Sequence, residues 1–170
     1  MKVNSVVLIG IMTSLSIILG VVENFIPNII PAVRLGISNI PILLLLYLTK
    51  PIYAFEVAVF KSTIVPIFSG NIMFKLSLSV PSTILAFIAM FLTFKIFKNK
   101  VSPISVSVLG AFTHMASQLT IISIFYIKGL IYTSIAGILL LMAVITGIII
   151  GAISYKIINH SEIKRIFKTD

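Results

Sequence analysis

Residues 5–26 of the chain read SVVLIGIMTSLSIILGVVENFI, and within this segment only Glu23 carries a charge. An α-helix needs about 20 apolar residues to cross the hydrocarbon core of a bilayer, because it rises about 1.5 Å per residue. The segment is therefore long enough to cross a membrane once. It is also longer than the apolar core of a signal peptide, and GVVENFIP is a poor cleavage site, so we expect a retained first helix.

The remaining sequence has the same apolar character. Of its 170 residues, 59% are hydrophobic and 10% are charged, whereas a soluble domain carries about a quarter charged residues. We therefore predict an all-α integral membrane protein, a compact bundle that forms one domain over residues 1–170. Counting the first segment, the apolar stretches predict six transmembrane spans, at approximately 5–26, 36–49, 52–69, 74–97, 103–127 and 131–158.

The segment 36–49 is the shortest of the six. At about 1.5 Å per residue it reaches roughly 21 Å, less than the ~30 Å of the hydrocarbon core. Three structures are consistent with this length: a short tilted helix, a half-helix, and a re-entrant element buried by its neighbours.

The basic residues predict how the spans are oriented. The chain has 13 Lys and Arg against 4 Asp and Glu, a net charge of +9. Six crossings bring most of the basic residues to one side and leave only Arg34, Lys61, Lys75 and Lys128 elsewhere. Cytoplasmic loops carry an excess of Lys and Arg, so we expect a multi-pass protein of the cell membrane with both termini in the cytoplasm. The basic residues follow no nucleic-acid-binding motif, and nucleic acid is not an expected partner.

Polar side chains inside the apolar segments are the candidate binding residues. A charge in the membrane costs roughly 2.5–3.5 kcal/mol by insertion scales, so such groups suggest function. His114 and Gln118 are four residues apart and share one helix face, which is consistent either with hydrogen bonds between helices or with a polar cavity. We expect the cavity, open to the exterior, and the cations suggest an anionic ligand. The candidate substrate-binding residues are Glu23, Asn24, Arg34, Asn39, Lys61, Lys75, His114 and Gln118.

Arg34 lies in the proline-punctuated stretch PNIIPAVRLGISN, residues 27–39. We predict that it forms the cationic rim of the cavity. Arg34 could also pair with Glu23 across the loop between the first two spans. The pair would then either hold this loop shut or act as a gate that opens for the substrate.

Gly10 and Ser14 are small residues four apart on the first span, as are Ser16 and Gly20. Such pairs let another helix approach closely. This pattern is consistent with packing inside the bundle and with docking of a partner subunit, for which Gly10 and Ser14 are the candidate residues.

The sequence argues against an enzyme. It has no Walker A loop, and no cysteine for a thiolate site. Its one aspartate is Asp170, whereas prenyl-diphosphate synthesis needs clustered aspartates to hold magnesium. His114 and His160 have no partner cluster for zinc. We therefore expect no metal, no catalytic residue and no cofactor bound by this chain.

Four segments, taken in order with the spacing between them, cover nearly the whole chain: ENFIPNIIPAVRLGISNI (23–40), LLLYLTKP (44–51), FKSTIVPIFSG (60–70) and LGAFTHMASQL (109–119). These segments resemble the Gx transporter family, which is also labelled heptaprenyl diphosphate synthase component I. That family is similar to the substrate-binding S components of energy-coupling factor (ECF) transporters.

The resemblance implies a six-helix membrane subunit that captures a small solute from outside. Such a subunit works with a transmembrane coupling protein and two cytoplasmic ATPases, which hydrolyse the ATP. The chain departs from the family at Met115, where an asparagine is usual, and at Val80-Pro81, near which paired glycines are usual. The alternative function is a non-transporting accessory subunit of an isoprenoid, quinone or redox system.

Overall fold

In a computed structural model, which describes residues 4–25, 36–69, 71–97 and 100–167, the chain forms a bundle of helices. The first three helices are α1 (Ser5–Phe25), α2 (Ile40–Leu48) and α3 (Pro51–Ile64). They are followed by α4 (Ile72–Phe97), α5 (Pro103–Phe125), α6 (Ser134–Ile158) and the short α7 (Ser161–Ile166). A 3₁₀ turn at Ile37–Asn39 precedes α2, a second at Val65–Ser69 extends α3, and a third at Leu130–Tyr132 precedes α6.

Five segments of the described chain are long and apolar enough to cross a membrane. The prediction of an all-α membrane protein is therefore confirmed, and these five candidate spans coincide with five of the six predicted ones. The five segments are Ser5–Glu23, Pro51–Phe68, Ile72–Phe97, Pro103–Phe125 and Ser134–Ile158.

The remaining predicted span, 36–49, is a short apolar helix at Ile37–Leu48. Six consecutive residues of α2, from Pro41 to Leu46, are buried, and α2 packs against α1, α3, α5 and α6. A helix that is apolar on every side belongs in the interior of a structure, and α2 has this composition. Its shortness is thus accommodated by neighbouring helices that shield it.

The direction of α2 follows from contacts at its two ends. At its beginning, Ser38 bonds to Glu23 near the C-terminal end of α1. At its end, the Tyr47 hydroxyl donates to the Val101 carbonyl over 3.1 Å, and the Tyr47 ring meets the Phe94 ring at 4.9 Å. The α2 helix therefore runs back from the far end of α1 to the turn between α4 and α5.

Close approach of α5 and α6 depends on glycines of α6. A Cβ atom on Gly151 would lie 2.5 Å from the Ile104 Cα atom, and one on Gly147 would lie 2.8 Å from the Val108 Cα atom. Gly147 and Gly151 are four residues apart and share a helix face, so together they let the two backbones meet. Because this contact runs along the bundle, the C-terminal end of α6 lies beside the N-terminal end of α5.

Candidate functional site

A cavity of about 100 Å³ lies inside the bundle. One water needs about 10–15 Å³ of such volume, so this space can hold several waters or a small ligand. Every helix from α1 to α6 contributes to its wall. The lining residues are Gly20, Glu23, Gly36, Ser38, Asn39, Ile42, Leu43, Ala58, Lys61, Val65, Ser79, Thr83, Ala86, Phe87, Met90, Ser107, Gly110, Ala111, His114, Met115, Gln118, Ala143, Thr146, Gly147 and Ile150.

Five of the eight predicted binding residues line this cavity. They come from three different helices, α1, α3 and α5, and from the turn before α2, although they are far apart in the sequence. They are Glu23, Asn39, Lys61, His114 and Gln118.

The other three predicted residues are placed differently. Lys75 is not among the lining residues; it lies in the first turn of α4, where its backbone N–H donates to the Asn71 carbonyl over 3.0 Å. Arg34 and the Asn24 side chain lie outside the residues that the structure describes. The predicted pairing of Glu23 with Arg34 therefore stays a prediction.

The Glu23 carboxylate is held by the turn that begins α2. Glu23 is only 5% exposed, and its two oxygens accept from the Ser38 backbone N–H over 3.3 Å and from the Ser38 hydroxyl over 3.2 Å. The Ser38 carbonyl in turn accepts from the buried hydroxyl of Ser16. These bonds offset part of the cost of burying a carboxylate.

The Lys61 ammonium is attached to the same turn through the next residue. It donates to the Asn39 side-chain carbonyl, and so joins α3 to the beginning of α2. Gly36, with φ of 75°, starts this turn. A Cβ atom at Gly36 would lie 3.4 Å from the Asn39 amide nitrogen, so both its left-handed backbone and the nearby amide favour glycine there.

His114 and Gln118 face the cavity from α5, as their spacing predicts. The His114 Nε2 atom lies 3.5 Å from the Thr83 hydroxyl on α4, at the outer limit of a hydrogen bond. Two residues before Thr83, Pro81 interrupts the helical ladder, since proline has no N–H to donate to the Ser77 carbonyl. The part of α4 that lacks this hydrogen bond therefore lies next to the cavity, which Ser79 and Thr83 line.

Several lining residues were missed by sequence reasoning. Nine of them are hydroxyl-bearing or glycine residues and the others are apolar; both kinds are common in transmembrane helices and so carry a weak individual signal. Their helical spacing relative to His114 and Gln118 could have identified those on α5, because Ser107, Gly110 and Ala111 fall on the same face. The missed hydroxyl residues are Ser38, Ser79, Thr83, Ser107 and Thr146.

The two charged residues of the described cavity wall lie toward one end of the bundle. Glu23 and Lys61 lie toward the end where α1 finishes, and Gln118 lies on the part of α5 nearest that end. Toward the opposite end the wall contains apolar side chains, and the Met90 sulfur lies 2.5 Å from where a Gly110 Cβ atom would be. The apolar lining residues include Leu43, Ala86, Phe87, Met90 and Ile150.

The two small-residue pairs of α1 differ in their surroundings. Ser16 is fully buried, and a Cβ atom on Gly20 would lie 2.9 Å from the Val65 side chain, so this pair packs inside the bundle. Gly10 and Ser14 are exposed, and no heavy atom lies within 4 Å of the Cβ position of Gly10. Docking of a partner on Gly10 and Ser14 stays a prediction.

The family model described as heptaprenyl diphosphate synthase component I matches residues 12–157, a range that contains every lining residue of the cavity. No curated protein and no solved structure matches the chain significantly. Since the match covers most of the sequence and agrees with the four segments that resemble the same family, the chain belongs to the heptaprenyl diphosphate synthase component I family, the Gx transporter family related to ECF S components.

Proposed function

We propose that this protein is the substrate-binding membrane subunit of an ECF-type transporter and captures a small solute from outside the cell. The observation that carries the proposal is the convergence of Glu23, Asn39, Lys61, His114 and Gln118 on one cavity inside an otherwise apolar bundle. Polar groups that served only to join helices would need no open volume between them.

The size of the cavity supports a binding role. Protein interiors are close-packed, and an unfilled cavity costs about 24 cal/mol per Å³ in a soluble reference protein. A volume of 100 Å³ would on that scale cost about 2 kcal/mol if it stayed empty. A ligand that fills the space recovers this free energy, and the polar lining residues orient the ligand.

Lys61 favours a ligand that carries an acidic group. Its ammonium belongs to the cavity wall and is anchored by Asn39, so a carboxylate or phosphate oxygen could accept a charge-assisted bond from it. The prediction of an anionic ligand rested on several cations, and Lys61 is the one among the described lining residues with a permanent positive charge. We therefore propose an acidic group on the ligand and assign its recognition to Lys61.

Transport would require partner subunits. The sequence contains no Walker A loop, so ATP would be hydrolysed by two cytoplasmic ATPases that act through a transmembrane coupling protein. The exposed pair Gly10 and Ser14 on α1 is our candidate contact with that coupling protein.

The description of the family favours a second candidate function. A component of heptaprenyl diphosphate synthase would be an accessory membrane subunit of an isoprenoid or quinone system. Affinity purification of the full chain from its native membrane distinguishes the two functions. Recovery of an ATPase pair with a large membrane coupler supports transport, whereas recovery of a soluble prenyl synthase supports the accessory role.

Mass spectrometry of small molecules that co-purify with the detergent-solubilised protein tests binding directly. We expect one dominant molecule, and we expect His114→Phe and Gln118→Leu to lower its occupancy at least tenfold, because one hydrogen bond to a polar ligand contributes about 1.5 kcal/mol. Thr120→Val is the matched control on the same helix, since Thr120 is exposed and bonds only to the Ala116 carbonyl. Equal occupancy in all three variants would contradict the assignment of the site.

A further inference from the structure

We propose that the ligand is a small zwitterion, with an ammonium group recognised by Glu23 and an acidic group recognised by Lys61. The inference rests on the proposed binding function and narrows its substrate class. The proposed function assigns a role to the Lys61 ammonium. A zwitterionic ligand also gives a role to the Glu23 carboxylate, which is held by the same turn.

The first argument is charge balance. Among the described residues of the cavity wall, the permanent formal charges are those of Glu23 and Lys61, which sum to zero. Inside a bundle surrounded by lipid, a net charge is costly because little solvent is available to stabilise it. A ligand that carries one charge of each sign keeps the sum at zero, whereas a simple anion leaves one negative charge uncompensated.

The second argument is the position of the two charged groups. Glu23 is bonded to Ser38 and Lys61 to Asn39, and these two partners are consecutive residues whose Cα atoms are about 3.8 Å apart. The carboxylate and the ammonium are therefore fixed to neighbouring points of one turn. A molecule with its own ammonium and carboxylate a few atoms apart fits such a pair.

The third argument concerns size and polarity. An engineered cavity of about 150 Å³ binds benzene, so the 100 Å³ cavity suits a ligand with few non-hydrogen atoms. The wall also contains Phe87, Met90 and Ile150, which favour a small apolar group on the ligand. These properties together describe a molecule of the size of a small amino acid.

Thermal unfolding of the purified full chain tests the proposal. The probes are the standard amino acids, β-alanine and γ-aminobutyrate, each compared with its deaminated acid and its decarboxylated amine. We expect at least one amino acid to raise the midpoint of unfolding by about 5 °C at 100 times its Kd. Its acid and its amine, which each lack one of the two charges, should produce a much smaller shift.

Variants of the two charged residues separate their roles. Glu23→Gln should weaken binding of the amino acid at least tenfold and leave binding of the deaminated acid unchanged or stronger. Lys61→Met should weaken binding of both. Glu56→Gln and Lys156→Met, at positions outside the cavity wall, are the matched controls and should bind like the unaltered protein.

Two outcomes would overturn the zwitterion. One is equal stabilisation by an amino acid and its deaminated acid, and the other is no stabilisation by any amino acid of the panel. If a different small molecule nevertheless co-purifies with the chain, the proposed binding function stands and only the ligand class is wrong. If no molecule co-purifies either, both proposals fail.

Discussion

At the scale of single residues, the two charged side chains of the described cavity wall, Glu23 and Lys61, are bonded to the turn before α2 rather than left loose in the apolar interior. Glu23 is the clearest case, because one residue, Ser38, supplies both of its hydrogen-bond donors. Ser38 is itself buried. The carboxylate therefore has a structural role at the turn before α2 in addition to its place in the cavity wall.

This structural role can be measured without any ligand. Glu23→Ala should lower the free energy of unfolding by about 1–3 kcal/mol, since it leaves the buried donors of Ser38 without an acceptor. Glu23→Gln should cost less, because its amide oxygen can still accept one of the two bonds. Denaturant titration in detergent gives both values, and an alanine variant as stable as the parent protein would contradict the bonding described for Ser38.

Residue spacing predicted one part of the site and not another. A period of 3.6 residues puts His114 and Gln118 on one face of a helix, and both line the cavity. Lys75 is one turn before Ser79 on α4, so helical spacing puts it on the same side, but the lining begins at Ser79. The packing of neighbouring helices decides how far a cavity extends along a helix. Residue spacing within one helix carries no information about that packing.

At the scale of helices, the bundle depends on the short buried helix α2 and on the close contact between α5 and α6. The length of 36–49 predicted an unusual element, and the apolar run IPILLLLYL is consistent with burial on all sides. Its position between α1, α3, α5 and α6 could not be predicted, since a run without polar residues has no face that marks its neighbours. The contact of α5 with α6 likewise depends on partners that are distant in sequence.

Truncation of the central helix should be costly. Leu45 is fully buried in α2, and removal of such a side chain costs about 2–5 kcal/mol. We expect Leu45→Ala to destabilise the bundle by this amount in detergent unfolding experiments. Leu141→Ala is the control, because Leu141 is 58% exposed on the outside of α6 and should change stability little.

The close contact between α5 and α6 gives a second test at the scale of helices. Gly151→Ala would place a Cβ atom 2.5 Å from the backbone of Ile104, which cannot move aside as a flexible side chain can. Overpacking of this kind costs about 1–3 kcal/mol. Gly137→Ala on the same helix meets no atom within 4 Å, so the midpoint of thermal unfolding should fall only in the first variant.

At the scale of the whole molecule, the arrangement of the helices agrees with the charge pattern of the sequence. The α2–α3 turn approaches the α4–α5 turn through Tyr47 and Val101, and the α6 terminus lies at the same end through its contact with α5. The described basic residues near this end are Lys50, Lys95, Lys100 and Lys156. By the preference of cytoplasmic loops for Lys and Arg, we propose that this end faces the cytoplasm.

The absence of cysteine from the sequence makes this orientation easy to test. The test uses two single-cysteine variants. Lys128→Cys lies in the turn between α5 and α6, and His160→Cys lies before α7; both positions are exposed. A membrane-impermeant maleimide added to intact cells should label Lys128→Cys and leave His160→Cys unlabelled. After permeabilisation both should react, and the reverse pattern in intact cells would show that the orientation is wrong.

The enclosed position of α2 also has a consequence for biogenesis. The ribosome makes α2 long before α5 and α6, yet those later helices form part of its surroundings. Alone, a helix of this length cannot hold both of its ends at the two surfaces of a bilayer. The second helix to be synthesised should therefore be among the last to reach its native environment, and chains that stop before α5 should expose it to membrane quality control.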